Sequence, residues 1–155
     1  MYSELNRLAR TQEERETLKE ELQSLYDSLY EKQSAFEECL DKVRPTTGET
    51  VKRLLTEGKI ADRAKFIKEA DKYLDSLTIL ELTVAFDPKG KSIERIWEWT
   101  RRNVGEGIVL KFTLDRLLGA GAIVTYQGKI RNYSLSRFID DYFESSKPSL
   151  VHLLS

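Results

Sequence analysis

Apolar positions along this chain change rhythm as it proceeds. From residue 3 to residue 43 they recur every three or four residues, with no glycine or proline inside the stretch, which is the spacing of an amphipathic helix. Set in heptads, the a positions are Leu8, Arg15, Leu22, Leu29, Phe36 and Val43, and the d positions Thr11, Leu18, Leu25, Lys32 and Cys39. The pattern predicts one helix, closed by Pro45 and Gly48, with an apolar seam from Leu18 to Val43. At 1.5 Å per residue it would reach roughly 60 Å, the length of an arm.

Two shorter helices are predicted near 48–57 and 61–76, separated by Gly58, with Asp62 as the cap of the second. From Leu80 to Phe86 the large apolar residues alternate, the signature of a strand with one buried face. Helical spacing returns over 92–103, with Ser92 as its cap. Trp97 and Trp99 lie about 200° apart around that helix, so both cannot face one core. Strands are predicted at 108–114 and 122–126, then a tight Gln127-Gly128 turn into a short strand at 129–131. Ser134 is placed to cap a closing helix with Leu135, Phe138, Ile139, Tyr142 and Phe143 on one face. The order is β-α-β-β with a short fourth strand and a closing helix. An α+β protein follows, organised as an arm (1–44), short helices (45–77) and an α/β domain with a tail (78–155).

The net charge of −1 conceals segregation: residues 1–44 carry −4, residues 88–137 carry +6, and the tail from 138 carries −2. A basic central segment suits an acidic protein partner or nucleic acid. Strands without evident stacking aromatics make nucleic acid the weaker expectation. No apolar run reaches the length of a membrane span, and the start of the chain lacks the apolar stretch of a secretory signal. A lone cysteine, Cys39, fits a reducing compartment.

The inventory of reactive groups is thin. His152 stands alone near the end of the chain, and Cys39 has no histidine near it in sequence. No C-x-x-C, H-E-x-x-H or Walker motif is present, and Gly119-Ala120-Gly121 precedes a strand where a phosphate cradle would precede a helix. The expectation is a non-catalytic protein with no cofactor, metal or small-molecule substrate.

The run from Leu110 to Phe138 resembles the C-terminal domain of the delta subunit of F-type ATP synthases, whose mitochondrial counterpart is the oligomycin-sensitivity-conferring protein. Asp115, Leu118-Gly119, Gly121, Gly128, Ser134 and Arg137 occupy positions of that family's motif. Leu54-Leu55-Thr56-Glu57-Gly58-Lys59-Ile60 is similar to its Leu-x-x-x-Gly-Arg-Leu join. Ala120 and Asn132 depart mildly from the pattern. The short N-terminal region departs more, because the family carries a larger helical bundle there. The resemblance implies a stator connector that links b-type stalk helices to the α subunit of the catalytic head. It also implies a peripheral position on the cytoplasmic, matrix or stromal side of an energy-transducing membrane, reached only through partners.

The candidate contacts are Leu18, Leu22, Leu25, Leu29 and Phe36 on the arm, docking along stalk helices, with Arg95 and Trp99 on the domain. Asp115, Gly119, Gly121, Gly128, Ser134 and Arg137 are structural, with Arg137 covering the sheet edge or reaching a carbonyl. The rival expectations are a nucleic-acid-binding adaptor with a coiled-coil dimerisation arm, and a homodimeric coiled-coil protein.

Overall fold

The computed structural model describes residues 2–32, 34–135, 137, 139–141 and 144. The chain is α+β, but the 3–43 arm does not exist. In its place stand a 3₁₀ helix (Tyr2–Arg7), α1 (Gln12–Ser28) and α2 (Ala35–Lys42). Thr11 opens α1: its Oγ1 accepts from the Glu14 amide at 3.2 Å, while Glu14 Oε2 accepts from the Arg10 amide at 2.9 Å. This T-x-x-E arrangement is a close variant of the capping box. After Ser28, the amides of Leu29, Tyr30 and Glu31 bond to carbonyls three residues back, tightening the last turn.

The break has a tertiary cause. Leu18, Leu22 and Leu25 on α1 are buried in one core with Phe36 and Leu40 on α2. A straight helix would leave that stripe facing water, at about 25 cal/mol for each Å² of apolar surface. Folding back lets both halves bury each other, which outweighs the helix preference of the connecting residues.

Two further helices complete the core, α3 (Pro45–Glu57) and α4 (Arg63–Asp75). Pro45 starts α3, where its missing N–H costs nothing. Gly48 lies inside α3, because a Cβ there would stand 2.6 Å from the Leu40 carbonyl oxygen. The pair expected to punctuate a long helix therefore begins a new one and lets it pass the end of α2. Asp62 caps α4 as predicted, accepting from the Lys65 amide at 2.9 Å. Tyr2 stacks on Phe66 and Tyr73 at 5.8 and 5.9 Å between ring centroids, and its hydroxyl donates to Glu69 at 2.8 Å. Burial, and then the Glu69 carboxylate, push the Tyr2 phenol up to about 12.

Glu21 ties α1 to the start of α3. It accepts from the Arg44 amide at 3.0 Å, from Arg44 Nε and Nη2 at 2.8 Å each, and from Thr47 Oγ1 at 2.7 Å.

The chain forms two compact units: the helices through Ile79 together with Ile93–Val109, and Leu80–Ser92 together with the chain from Leu110 onward. The segments expected to be separate, 1–44 and 45–77, share one core. Helix α5 (Lys91–Asn103) falls mostly in the helical unit. Ser92, expected to precede it as a cap, lies inside it.

The sheet has the order β2-β1-β3-β4, with β1 Thr78–Val84, β2 Ile108–Leu114, β3 Ala122–Tyr126 and β4 Lys129–Asn132. Leu80, Leu82 and Val84 are buried while Glu81 is exposed, the predicted alternation. The Thr78 amide bonds to Gly107 at one end of β1, and the Asp115 amide to Val84 at the other, both at 2.9 Å, so β1 and β2 run parallel. β3 is antiparallel to β1, with Leu82 opposite Val124, and β4 is antiparallel to β3. Gln127 and Gly128 join β3 to β4 with φ of 49° and 75°, the left-handed pair of a type I′ turn.

At Gly121 (φ 85°) a Cβ would collide with the Tyr133 carbonyl oxygen, whereas at Gly119 (φ 69°) nothing lies within 4 Å. Both positions carry the backbone strain of a positive φ, about 1–3 kcal/mol for a non-glycine residue, and the collision at Gly121 adds to it, so Gly121→Ala is expected to destabilise more than Gly119→Ala; equal midpoints in urea would contradict this account.

Burial alone would raise the Glu21 pKa, but the donors from Arg44 and Thr47 prevail and hold it below the ordinary value of 4.5. A depressed pKa contributes stability that is full above 4.5 and is lost as pH falls through the folded-state value. Glu21→Gln should therefore cost about 1–3 kcal/mol at pH 7. The gap to wild type should close in acid, as denaturant melts at stepped pH will read.

Candidate interaction site

The seam predicted to meet partner helices belongs to the protein's own core. Leu18 and Leu25 are 0% exposed, Leu22 1% and Phe36 3%, and Leu29 is half-buried. Arg63 closes over the Phe36 ring at 4.5 Å. None of these residues is presented for docking along another helix, and the coiled-coil arm of both rival expectations falls with it. The reason is the fold-back of α2 onto α1, which supplies the partner from within the chain.

Helix α5 carries the other predicted contacts and treats its tryptophans as their spacing requires. Trp97 is 7% exposed, and Trp99 is 61% exposed. On the inner side Arg101 lies over the Trp97 ring at 5.3 Å, and buried Thr100 donates from Oγ1 to the Ile96 carbonyl at 2.8 Å. On the outer side Arg95 and Trp99 are both exposed one turn apart. Arg95 forms no ion pair among the described residues, and Asn103 Nδ2 donates to the Trp99 carbonyl at 2.8 Å. Tryptophan and arginine are among the side chains most enriched in binding hot spots, and here both stand exposed on one side of the helix.

The structural motif residues do local work in the sheet unit. Asp115 Oδ1 accepts from the Leu117 amide at 2.9 Å and caps the 3₁₀ turn Arg116–Leu118. Gly121 lets the chain pass the backbone at Tyr133. Ser134 Oγ accepts from the Arg137 amide at 3.3 Å, in keeping with its predicted capping role. The Arg137 side chain pairs with Asp141 one helical turn on, at 3.6 Å. Phe138, Tyr142, Phe143 and His152 lie outside the described residues.

One surface escaped the sequence reading. At the end of the sheet where Val84, Ala122 and Asp115 meet, Phe86, Leu114, Leu117, Tyr133 and Leu135 are exposed. Leu117 is 88% and Tyr133 68% exposed. The only available signal was adjacency: Leu117 and Leu118 sit together in a three-residue turn, and just one of two neighbours can turn inward. The cations of the basic central segment are partly paired. Lys111 pairs with Glu81 at 2.9 Å and Arg102 with Glu98 at 3.6 Å, while Arg101 is engaged by Trp97.

Among the described residues no group of three or more His, Cys, Asp or Glu side chains is placed to hold a metal ion. None of their helices is long and apolar enough to cross a membrane. No family model matches the chain, and no curated protein matches it at a significant level.

The opposed tryptophans give a direct test. Trp97→Phe should leave red-shifted emission that iodide quenches freely, and Trp99→Phe should leave blue-shifted emission that iodide hardly reaches. Similar quenching in the two variants would contradict the orientation of α5.

Proposed function

We propose that this chain is a delta-like connector of a rotary ATP synthase, linking b-type stalk helices to the α subunit of the catalytic head. The observation that carries the reading is the β-α-β-turn-β-hairpin series. In it Asp115, Gly121, Gly128 and Ser134 perform the local tasks that make such a motif necessary: a turn cap, a close backbone crossing, a type I′ turn and a helix cap. The helical unit adds support, because helices packed together before the α/β domain come nearer the family's organisation than a lone arm would.

The role is mechanical. A connector needs apolar and aromatic area on rigid elements, not reactive groups. Trp99 with Arg95 on one unit, and Leu117 with Tyr133 on the other, supply such area. Both surfaces replace the arm leucines as the residues expected to meet partners.

The test is an affinity capture of the tagged full-length chain from detergent-solubilised native membranes, with partners identified by mass spectrometry. Recovery of α, β and b subunits is expected. Trp99→Ala with Arg95→Glu, or Leu117→Asp with Tyr133→Asp, should reduce that recovery by roughly tenfold, about 1.4 kcal/mol of lost binding, while circular dichroism stays unchanged. Capture lacking every ATP synthase subunit would overturn the assignment, and dominance of RNA would favour a nucleic-acid adaptor.

A further inference from the structure

Strand β4 closes one side of the sheet, with no further strand beyond it among the described residues. The hairpin decides which way its backbone groups point. Tyr126 and Lys129 flank the two-residue turn, Val124 lies opposite Arg131, and the Tyr133 amide bonds to the Ala122 carbonyl at 2.8 Å. In an antiparallel ladder, residues that bond to one neighbour alternate with residues that do not. Lys129, Arg131 and Tyr133 therefore bond toward β3. The N–H and C=O groups of Ile130 and Asn132 point outward, without a partner among the described residues. On the opposite side of the sheet β2 is buried at Ile108, Val109 and Leu110, so β4 is the more open edge.

An edge with free backbone groups can pair with a further strand, and its side chains select which. Lys129 and Arg131 are exposed, form no ion pair among the described residues, and share one face. Ile130, between them, is 68% exposed on the other. On an added antiparallel strand, the residues opposite Lys129 and Arg131 take non-hydrogen-bonded positions, where facing Cα atoms approach to about 4.5 Å and side chains are closest. Opposite charges attract there and like charges repel. A second copy of β4 is thus a poor occupant. Antiparallel pairing of Ile130 with its own equivalent sets Lys129 against Arg131, and pairing of Ile130 with Asn132 sets Arg131 against its own equivalent.

We propose that β4 accepts, by strand addition, an extended segment of another protein with the alternation acid-apolar-acid. Its two carboxylates meet Lys129 and Arg131, and its central apolar side chain lies beside Ile130. Its backbone exchanges hydrogen bonds with Ile130 and Asn132. The inference does not depend on the connector reading and uses neither Trp99 nor Leu117.

The test titrates the isotope-labelled full chain, followed by NMR, with the end-blocked peptide Thr-Glu-Val-Glu-Thr up to about 5 mM, enough to read a dissociation constant of about 1 mM. The amide resonances of Ile130 and Asn132 should move downfield, with the largest shifts confined to β4. The peptide Thr-Lys-Val-Lys-Thr should bind roughly tenfold more weakly. So should the glutamate peptide with an N-methylated valine, which lacks the amide that bonds to the Ile130 carbonyl. Lys129→Glu with Arg131→Glu, both at exposed positions, should reverse the preference between the two charge types. Absence of shifts at β4, equal binding of the two charge types by the unaltered chain, or indifference to N-methylation would overturn the proposal. The two cations would then serve only to keep the edges of neighbouring copies apart. Shifts at β4 that grow with protein concentration alone would overturn it in favour of self-pairing.

Discussion

Glu21 holds together residues that are distant in sequence and adjacent in space. Its side chain gathers donors from the Arg44 backbone, the Arg44 guanidinium and the Thr47 hydroxyl, and is itself 12% exposed. Placing a carboxylate there costs desolvation, and charge-assisted bonds of this kind are among the few that can offset it. Its position fixes where α3 starts relative to α1. The length of α2 and the return of the chain after Lys42 are then constrained from both sides. Gly48 is required because that constraint brings α3 against the Leu40 carbonyl.

Once α3 is anchored, the remaining helical contacts are of a different kind. Leu5, Val51, Leu54, Phe66, Ala70 and Leu74 fill the core without polar direction, and burial of apolar area is nearly indifferent to orientation. The ion pairs on the outside, such as Lys19 with Asp71 and Asp75, are exposed and contribute little. Specificity in this unit therefore comes from a small number of directional groups, with Glu21 and Thr11 foremost. Bulk stability comes from leucines that many arrangements could have buried.

That division explains what the sequence made legible. The strands and their order along the chain could be read, though not their order in the sheet, because alternation over Leu80–Val84 and a Gln-Gly turn are local signals whose meaning does not depend on the rest of the chain. The same holds for the Asp62 cap and for the opposed tryptophans. The helical arm misled because a heptad seam says only that a stripe must be buried, never by what. Leu18 to Phe36 fit a partner helix and an internal one equally well, and the absence of glycine or proline removed the usual mark of a break. The capping pair Thr11 and Glu14 was a visible sign of a helix start inside the supposed arm. The Glu21 clamp was not visible at all, since it joins residues 21, 44 and 47 only after folding. The exposed apolar end of the sheet was equally hidden, because hydrophobicity alone assigns Leu117 to a core.

The two faces of α5 are physically coupled in a way that bears on any partner. Trp97 is buried under Arg101 and Thr100 bonds back to Ile96, so the helix cannot rotate without exposing a large indole. Trp99 is thereby held outward on a rigid element. A side chain whose backbone is already ordered loses little conformational freedom on binding, and what it does bury then appears more fully as affinity. An exposed tryptophan on a loop would forfeit part of that gain. Were Trp99 to meet a partner, the inner tryptophan would contribute to that recognition without touching it, by limiting what the outer one has left to lose.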